Sequence, residues 1–378
     1  MSRDASMIRQ HPVANIRIGI VGASPERGWA AMAHIPALRT VPSMTLQAVA
    51  TRHERSARLA AAAFGAPLWF DDAHEMIAHA EVDAVVVAVK APDHALLVRQ
   101  ALLAGKPVFC EWPFGRSLEE ARELAQLARD RGVPTAVGLQ GRFSPWLRQV
   151  REIVATGRLG RILSTSLLAW DELSTGSIDQ GNAYLLDAAN GANPLTIHCG
   201  HYIDSLCFVL GELDSVSVTT AISRPRVVVR QTGEALMSSS PDQIAMCGQL
   251  NGAAFSFHMR AGSGDPSFAW EIQGEDAVLR VTSKGQLMWR PLRLELRDAR
   301  EKRWETIAPP DPVEAGGGLL ASDSPARFVA AAYEAFASDI RTGSRLSASF
   351  AEALARRETM EAIRTAAITG ARWQPSGA

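Results

Sequence analysis

Lysine, cysteine and long apolar runs are scarce in this 378-residue sequence. A lysine at a ligand-binding position is therefore informative, because the 39 basic residues include only four lysines, Lys90, Lys106, Lys284 and Lys302. We predict no metal centre and a reducing, cytoplasmic location, because metal-ligand spacing is absent from the four cysteines, Cys110, Cys199, Cys207 and Cys247. The longest apolar segment, VDAVVVAV, is far shorter than the roughly 18 residues of a membrane span and is typical of a buried strand.

An excess of charge of either sign is also lacking. The formal net charge is −1, which gives no electrostatic basis for binding nucleic acid or an anionic membrane surface. Residues 1–15 are polar and lack the apolar segment of a signal peptide, so we predict a flexible tail. The rest of the chain is too long for one ordinary core and predicts two domains.

Residues 16–141 alternate short apolar runs with helical segments. The predicted strands are IRIGIV, LQAVA, AVVVAV, PVFCE and PTAVG. The predicted helices between them are Ala30–Thr40, Glu54–Phe64, Asp93–Ala104 and Leu118–Arg131. Continuous apolar strands joined by helices indicate a parallel sheet covered on both faces. We therefore predict an α/β fold that begins with a Rossmann-type, doubly wound dinucleotide-binding domain.

Residues 142–378 predict a second, α+β domain with a large, mostly antiparallel open sheet. Its predicted strands are LSTSLLAW, VSVTTAI, DQIAMCGQL, AAFSFHMR and AVLRVT. Its predicted helices are Pro145–Ala155, Leu195–Leu210, Pro325–Thr342 and Phe350–Ala367. A long polar run, Trp170–Pro194, separates the first strand from the second helix, and the glycine-rich segment Glu314–Leu319 is predicted to be a surface loop.

The first strand leads into a glycine-containing turn, GASPERGWA, followed by a helix. Backbone N–H groups at such a turn bind a pyrophosphate, so the candidate cofactor residues here are Gly22, Ala23, Ser24, Arg27, Gly28 and Trp29. The spacing departs from G-x-G-x-x-G, because Ser24 holds the second glycine position. A tight strand-to-helix turn without a ligand explains this pattern as well.

The ends of the next three strands carry further candidates. The second strand ends in Ala50-Thr51-Arg52-His53, without an acidic residue to accept a ribose 2′-hydroxyl. Thr51 with Arg52 suits a 2′-phosphate, which slightly favours NADP over NAD. A solvent-facing Arg52 without a ligand is the alternative. At or just beyond the ends of the predicted strands AVVVAV and PVFCE lie the remaining cofactor candidates, Ala88, Lys90, His94, Glu111 and Trp112. For His94, packing at a helix start is the alternative.

Several segments together resemble the Gfo/Idh/MocA family of oxidoreductases, namely AGKPVFCEWP, EIVATGRLGRI and GHYIDSLCFVLG. The resemblance implies a catalytic lysine in a Glu-Lys-Pro motif, where this chain has Glu111-Trp112-Pro113. It also implies Asp-x-x-x-His, where His201 matches but Ile197 takes the aspartate position. The segments GASPERGWA, AHIPAL, EWP and VGLQGRFSPW are similar to the fungal galactose-regulon repressor branch, in which the fold binds a dinucleotide but regulates a transcription activator.

Without the lysine, proton transfer needs another group, because an indole N–H cannot accept a proton. We predict His201 as the acid–base residue, assisted by Lys90 or Tyr202, with Trp112 as a wall of the pocket. His198 shares a helix face with His201. The candidate substrate ligands are Trp112, Asp171, Tyr184, Asp187, Asn193, His198 and His201.

Two further residues have alternative interpretations. Asp204 either orients His201 or serves packing between the domains. Arg142 either faces the cleft or forms a salt bridge.

These observations predict an NAD(P)-dependent oxidoreductase that transfers a hydride to or from a hydroxylated small molecule, such as a sugar or cyclitol derivative. One alternative is a redox-neutral NAD-dependent lyase or glycosidase-like enzyme. Another is a non-catalytic dinucleotide-binding regulator of a protein partner. The resemblance implies a homodimer or homotetramer that pairs through the open sheet face. The net charge predicts no nucleic-acid or membrane partner.

Overall fold

A computed structural model of the chain describes residues 15–171, 176–262, 267–308, 320–321 and 323–375. The predicted tail, apart from Asn15, and the glycine-rich segment 314–319 lie outside these ranges. Within them, no helix has both the length and the apolar character needed to span a bilayer.

The N-terminal part forms a six-stranded parallel sheet with the order β3-β2-β1-β4-β5-β6. Its strands are β1 (Ile16–Val21), β2 (Met44–Ala50), β3 (Leu68–Phe70), β4 (Ala84–Val87), β5 (Val108–Cys110) and β6 (Thr135–Val137). Its helices are α1 (Ile35–Leu38), which continues a π-helical turn at Ala30–His34, followed by α2 (Glu54–Phe64), α3 (Ala73–Ala78), α4 (His94–Leu103) and α5 (Leu118–Arg131). This arrangement confirms the predicted Rossmann-type sheet.

A sequence of short helices and strands makes up the rest of the chain. A 3₁₀ turn at Gln140–Phe143 leads into α6 (Pro145–Ala155) and β7 (Ile162–Asp171). After β8 (Ser177–Ile178) come 3₁₀ turns at Gln180–Leu186 and Ala188–Asn190. A π-helical turn at Leu195–Cys199 then continues as α7 (Gly200–Leu210). The following strands are β9 (Leu213–Ala221), β10 (Arg226–Val229), β11 (Ala235–Met237), β12 (Gln243–Leu250), β13 (Ala253–Ala261), β14 (Ser267–Gly274), β15 (Ala277–Ser283), β16 (Arg293–Asp298) and β17 (Glu305–Thr306). The last helices are α8 (Ala326–Thr342) and α9 (Phe350–Thr369).

Eight of these strands form a large sheet with the order β17-β16-β15-β14-β7-β13-β12-β9. All of its strand pairs are antiparallel except β7 with β13, so the predicted mostly antiparallel sheet is confirmed. Its strands alternate buried and accessible residues, as β13 does, which leaves one face open. A small sheet of β11, β10 and β8 has its own apolar core, formed by Ile178, Leu186, Val227 and Val229.

Helices α8 and α9 return to the N-terminal sheet. The ring of Tyr333 on α8 lies 5.2 Å from that of Phe109 on β5, measured between centroids. The ring of Phe350, at the start of α9, lies 4.3 Å from that of Phe114, also measured between centroids. The chain therefore crosses the division predicted at residue 141 a second time, and one apolar core runs through both parts.

Candidate active site

The carboxyl ends of β1, β2 and β4 meet at Gly22. Its φ is 97°, and a Cβ there would lie 2.7 Å from the carbonyl oxygen of Ala88. The N–H of Gly22 donates to the carbonyl of Ala50 at 2.9 Å. Only glycine fits this turn, because the backbones approach too closely for a side chain. The arrangement leaves the following loop at the edge where parallel sheets bind ligands.

The loop after Gly22 reaches the second domain. Ala23 is buried, Ser24 is half-buried, and Gly28 has a positive φ of 96°. The guanidinium of Arg27 lies so close to Gly181 that a Cβ there would overlap it. The ring of Trp29 packs against that of Trp289 with centroids 5.5 Å apart. Two predicted cofactor residues, Arg27 and Trp29, thus also contact the C-terminal domain.

The predicted 2′-phosphate ligands lie at the end of β2. Oγ1 of Thr51 lies 2.6 Å from Oγ of Ser56 at the start of α2. Arg52 has a largely exposed side chain, and its guanidinium pairs with the carboxylate of Asp93. Arg52 is therefore accessible, but a phosphate at this position would compete with Asp93.

Lys90 of the first domain and Tyr184 of the second contact each other across the cleft between the two domains. Nζ of Lys90 lies 4.7 Å from the centroid of the Tyr184 ring, within the range of a cation–π contact. Tyr184 belongs to the 3₁₀ turn before Leu186, and burial raises the pKa of its hydroxyl. The structure thus brings together a candidate from the strand-four end and one from the polar run.

His94 does not reach the cleft. It is buried, and its Nδ1 and Nε2 each lie 3.0 Å from a backbone carbonyl, of Pro113 and Val89 respectively. Burial lowers the pKa of His94, against the opposing effect of the two carbonyls. This position favours the packing alternative for His94, in which the ring ties the ends of β4 and β5 together, and the cofactor contact stays a prediction.

Glu111 is turned towards the protein interior. Its Oε1 lies 3.0 Å from Nε2 of His34, whose Nδ1 lies 2.6 Å from the hydroxyl of Tyr333. A Cβ on Gly138 would come within 2.6 Å of both carboxylate oxygens. Burial and the charge of Glu111 raise the pKa of Tyr333 well above its ordinary value. Glu111 thus links β5 to α8 and the first helix, and its cofactor contact stays a prediction.

Trp112 packs against the start of α7. Its peptide bond to Pro113 is cis, and its side chain is almost fully buried. Nε1 donates to the carbonyl of Thr196 at 2.8 Å. A Cβ on Gly200 would lie 2.7 Å from Nε1, so the indole lies directly on the helix backbone. Its only hydrogen-bond donor is therefore already used by the protein.

His201 lies at the start of α7, directly after the Gly200 that contacts Trp112. The side chain is buried, with the residue 7% exposed. Its pKa falls from 6.5 to about 4, first because of burial and second because of His198, while Glu111 and Asp204 oppose the shift. The two histidines are thus electrostatically coupled, and His201 is neutral at neutral pH.

Asp204 belongs to a buried ion network rather than to His201. Its carboxylate accepts two hydrogen bonds from Arg142, at 2.7 and 2.9 Å, and one from Arg356 at 3.3 Å. Arg142 also pairs with Glu352, and Arg356 pairs with Glu212. Burial favours a raised pKa for Asp204, but Arg142 and Arg356 together lower it. For Arg142 the structure therefore supports the salt bridge over the cleft-facing position. For Asp204 it supports packing between the domains over orientation of His201.

Tyr202, the third predicted catalytic residue, faces the large sheet instead of the cleft. It is 1% exposed, and its ring packs against Phe257 and Phe268, with centroids 5.9 and 6.2 Å away. Adjacent positions on a helix point about 100° apart, so Tyr202 and His201 cannot share a face. Tyr202 therefore occupies a core position, and its part in catalysis stays a prediction.

The remaining substrate candidates act mainly as local caps. Asp187 accepts from the N–H of Ala189 at 2.9 Å and caps a 3₁₀ turn. Asn193 accepts from the N–H of Thr196 at 3.1 Å and caps the turn before α7. The side chain of Asp171, the last residue of β7, lies outside the described part. Within the described ranges no group of three histidine, cysteine or acidic side chains is placed to hold a metal ion.

Sequence reasoning missed three residues of this site, His34, Tyr333 and Gly200. His34 and Tyr333 are 299 positions apart, so no local pattern could pair them. Gly200 had a weak signal, since a glycine inside an apolar helix indicates a close approach of another group.

Comparisons with known proteins agree with this architecture. Residues 16–139 match the model of an oxidoreductase family with an NAD-binding Rossmann fold, and residues 145–283 match that of the Gal80p C-terminal domain. The chain is 35% identical to the dehydrogenase aclE of Aspergillus oryzae over 281 residues, which cover 70% of this chain and 76% of that protein. It is 31% identical to inositol 2-dehydrogenase of Rhizobium meliloti over 204 residues, 54% of this chain and 57% of that protein.

A solved structure shares the fold. Levoglucosan dehydrogenase in complex with NADH and levoglucosan superposes with a TM-score of 0.82 over 96% of this chain and all of that chain (100%), at 20% identity. With the aclE match and the two domain matches, the conclusion is that this chain belongs to the Gfo/Idh/MocA oxidoreductase family and carries a C-terminal domain of the Gal80p type.

Proposed function

We propose that this protein is an NAD(P)-dependent dehydrogenase that oxidises a hydroxyl group of a sugar or cyclitol derivative, with His201 as the proton acceptor. The observation that carries the proposal is a neutral, buried imidazole at the start of α7, beside the ends of the parallel strands. Removing a hydride from a carbinol requires a base for the hydroxyl proton. The relatives named inositol 2-dehydrogenase and levoglucosan dehydrogenase support a hydroxylated ring as substrate.

The electrostatic surroundings of His201 act on its basicity in opposite directions. The charges of Glu111 and Asp204 stabilise the imidazolium that forms when the proton is accepted. Burial and His198 disfavour it, so the proton is held only weakly and is readily passed on. Around neutral pH the resting histidine is unprotonated, which favours alcohol oxidation over ketone reduction.

The contact between Lys90 and Tyr184 supports a role for both residues in substrate selection. Their cation–π contact joins the Rossmann sheet to the polar run of the second domain. A substrate hydroxyl entering between them is offered an ammonium donor and an aromatic face. Trp112, with its N–H already bonded to Thr196, contributes an apolar surface and no proton transfer.

Replacement of His201 tests the proposal directly. In His201→Ala, turnover of a sugar or cyclitol substrate should fall by about 100-fold or more, the usual contribution of a general base. NADH affinity should stay within about twofold, because the dinucleotide binds at the strand ends. The exposed His53 provides a matched control in His53→Ala. Unchanged turnover in His201→Ala would remove the proposed role.

The cofactor preference is tested at Arg52. We propose that the accessible guanidinium accepts a 2′-phosphate in place of Asp93, which favours NADP. Arg52→Gln should then weaken NADPH binding by about tenfold, the loss of one charge-assisted contact, and leave NADH binding unchanged. Equal effects on both nucleotides in a fluorescence titration would contradict this preference.

One alternative function has support of its own. The match to the Gal80p C-terminal domain and the tryptophan in place of the family's lysine favour a dinucleotide-dependent regulator of a protein partner. Tight NAD(P)H binding without turnover across a panel of sugars and cyclitols would favour that function. Product formation without a net change in nicotinamide absorbance would instead favour a redox-neutral enzyme.

The partner we propose for the protein itself is a second copy of the chain. The open face of the large sheet carries small residues, such as Ser166 and Ser256, around Leu168. Such a face can pair closely with its own copy. Sedimentation analysis should detect at least a dimer, and Leu168→Arg should dissociate it. A monomeric wild-type protein at micromolar concentration would contradict this proposal.

A further inference from the structure

A depression lies on the surface beside α6 and the end of α7. It has a volume of about 550 Å³ and is formed by α6, the end of α7, the loop before α9 and the first turn of α9. Phe208 on its wall follows His201 by seven residues, roughly 10 Å along the helix axis at 1.5 Å per residue. The depression is thus separate from the candidate active site.

Four arginines line this depression, Arg142, Arg148, Arg151 and Arg345. The charge of Arg142 is balanced by Asp204 and Glu352. Among the residues that the structure describes, no carboxylate forms a salt bridge with Arg148, Arg151 or Arg345, although Glu152 also lies on the lining. The site therefore carries a surplus of positive charge.

The arginines are held in place by the protein. Nε of Arg148 donates to the carbonyl of Arg142 at 3.0 Å, and its guanidinium lies 5.2 Å from the ring of Phe143. The guanidinium of Arg151 lies 4.3 Å from the ring of Phe208. Like charges one turn apart on a helix repel each other, and both burial and Arg151 lower the pKa of Arg148. An anion between them would relieve this repulsion.

The loop that carries Arg345 is also fixed. The buried carboxylate of Asp339 accepts hydrogen bonds from the N–H groups of Leu346 and Ser347, at 2.8 and 2.9 Å, and from the hydroxyl of Ser344. Ser347 is 6% exposed and lines the depression, and its hydroxyl has no hydrogen-bond partner among the described residues. A buried hydroxyl without a partner is unfavourable unless a ligand satisfies it.

We propose that this depression binds the phosphate group of a small organic molecule through Arg148, Arg151, Arg345 and Ser347. Guanidinium groups recognise phosphate oxygens in a bidentate manner, which explains arginines both on α6 and on the loop before α9. The depression is much larger than a phosphate group, and its wall includes Phe208 and the exposed side chain of Leu346. An organic part of the ligand contacts these apolar residues. The site is independent of the dinucleotide chemistry of the cleft.

Isothermal titration of the full-length protein tests this site, with NADPH at saturation so that the dinucleotide site is filled. The probes are inorganic phosphate, glucose 6-phosphate and glucose. Both phosphates should bind and glucose should not, and tighter binding of glucose 6-phosphate than of inorganic phosphate identifies an organic ligand. Equal binding of the two phosphates identifies free phosphate as the ligand and contradicts the organic one.

Single variants then assign the binding to the arginines. Arg148→Gln and Arg345→Gln should each weaken phosphate binding by about tenfold, the loss of one charge-assisted contact. The exposed Arg293, which pairs with Glu295 on β16, gives the matched control Arg293→Gln with unchanged binding. The proposal would be overturned if phosphate did not bind, or if acetate bound as tightly as phosphate. It would also be overturned if Arg148→Gln and Arg345→Gln both kept full affinity for phosphate. Unchanged urea unfolding of each variant excludes loss of the fold as the cause.

Discussion

The buried His201 should make the stability of this protein depend on pH. Its pKa is about 4 in the folded protein, against 6.5 for the unperturbed side chain. Because the folded-state pKa is depressed, the unfolded chain binds more protons between these two values. The contribution of His201 to the free energy of unfolding is therefore fully present above pH 6.5 and is lost as the pH drops towards 4.

The size of this effect follows from the same two pKa values. Between about pH 7.5 and pH 5, linkage gives a loss of about 2 kcal/mol from this one group. His94 is also buried with a lowered pKa and adds a loss of the same sign. A comparison with His201→Gln isolates the contribution of His201, because His94 contributes to both proteins.

Urea unfolding followed by circular dichroism at the two pH values measures the effect. The wild-type protein should lose about 2 kcal/mol more than His201→Gln on acidification. His53→Gln, which changes an exposed histidine, should behave like the wild type. An equal pH dependence in the wild type and His201→Gln would refute the reasoning, since it would mean that the imidazole is not held neutral by burial.

Two further substitutions test contacts around the site. Gly200→Ala should destabilise the protein by about 1–3 kcal/mol in urea unfolding, because the added methyl group overlaps the Trp112 indole. The cost should shrink when Trp112→Leu is combined with it, and an unchanged cost would contradict the overlap. Asp204→Asn should cost about 3–5 kcal/mol, since it leaves the cations of Arg142 and Arg356 without their shared buried carboxylate. A cost below about 1 kcal/mol would show that Glu352 and Glu212 alone suffice.

The sequence predicted the parallel sheet well because burial on both faces leaves a strong signal. Strand β4, for example, is buried along its whole length, and its sequence is a continuous apolar run. Strand β3 was missed because it has three residues at the sheet edge, and only part of each side chain is buried. The small sheet of β8, β10 and β11 was also missed, because its strands are short and its apolar run RVVV lies among arginine, proline and glycine.

The candidate site was predictable only where its residues follow strand ends. The position of Lys90 at the end of β4 came from the strand pattern, whereas its contact with Tyr184 depends on how a loop of the second domain folds back. The partner of Glu111 could not be inferred, because His34 and Tyr333 meet only after α8 has returned to the first sheet. Long-range pairings of this kind depend on topology, which local periodicity does not encode.

The tryptophan at position 112 changes the chemistry of the site by removing a charge. In relatives with the Glu-Lys-Pro motif, a lysine at this position would place an ammonium group beside the start of α7, where a nearby cation disfavours protonation of a histidine. Here the indole lies on Gly200 and donates to Thr196, and no cation of residue 112 opposes the carboxylate of Glu111. His201 is therefore a stronger proton acceptor than it would be next to that lysine, although burial and His198 still hold its pKa to about 4.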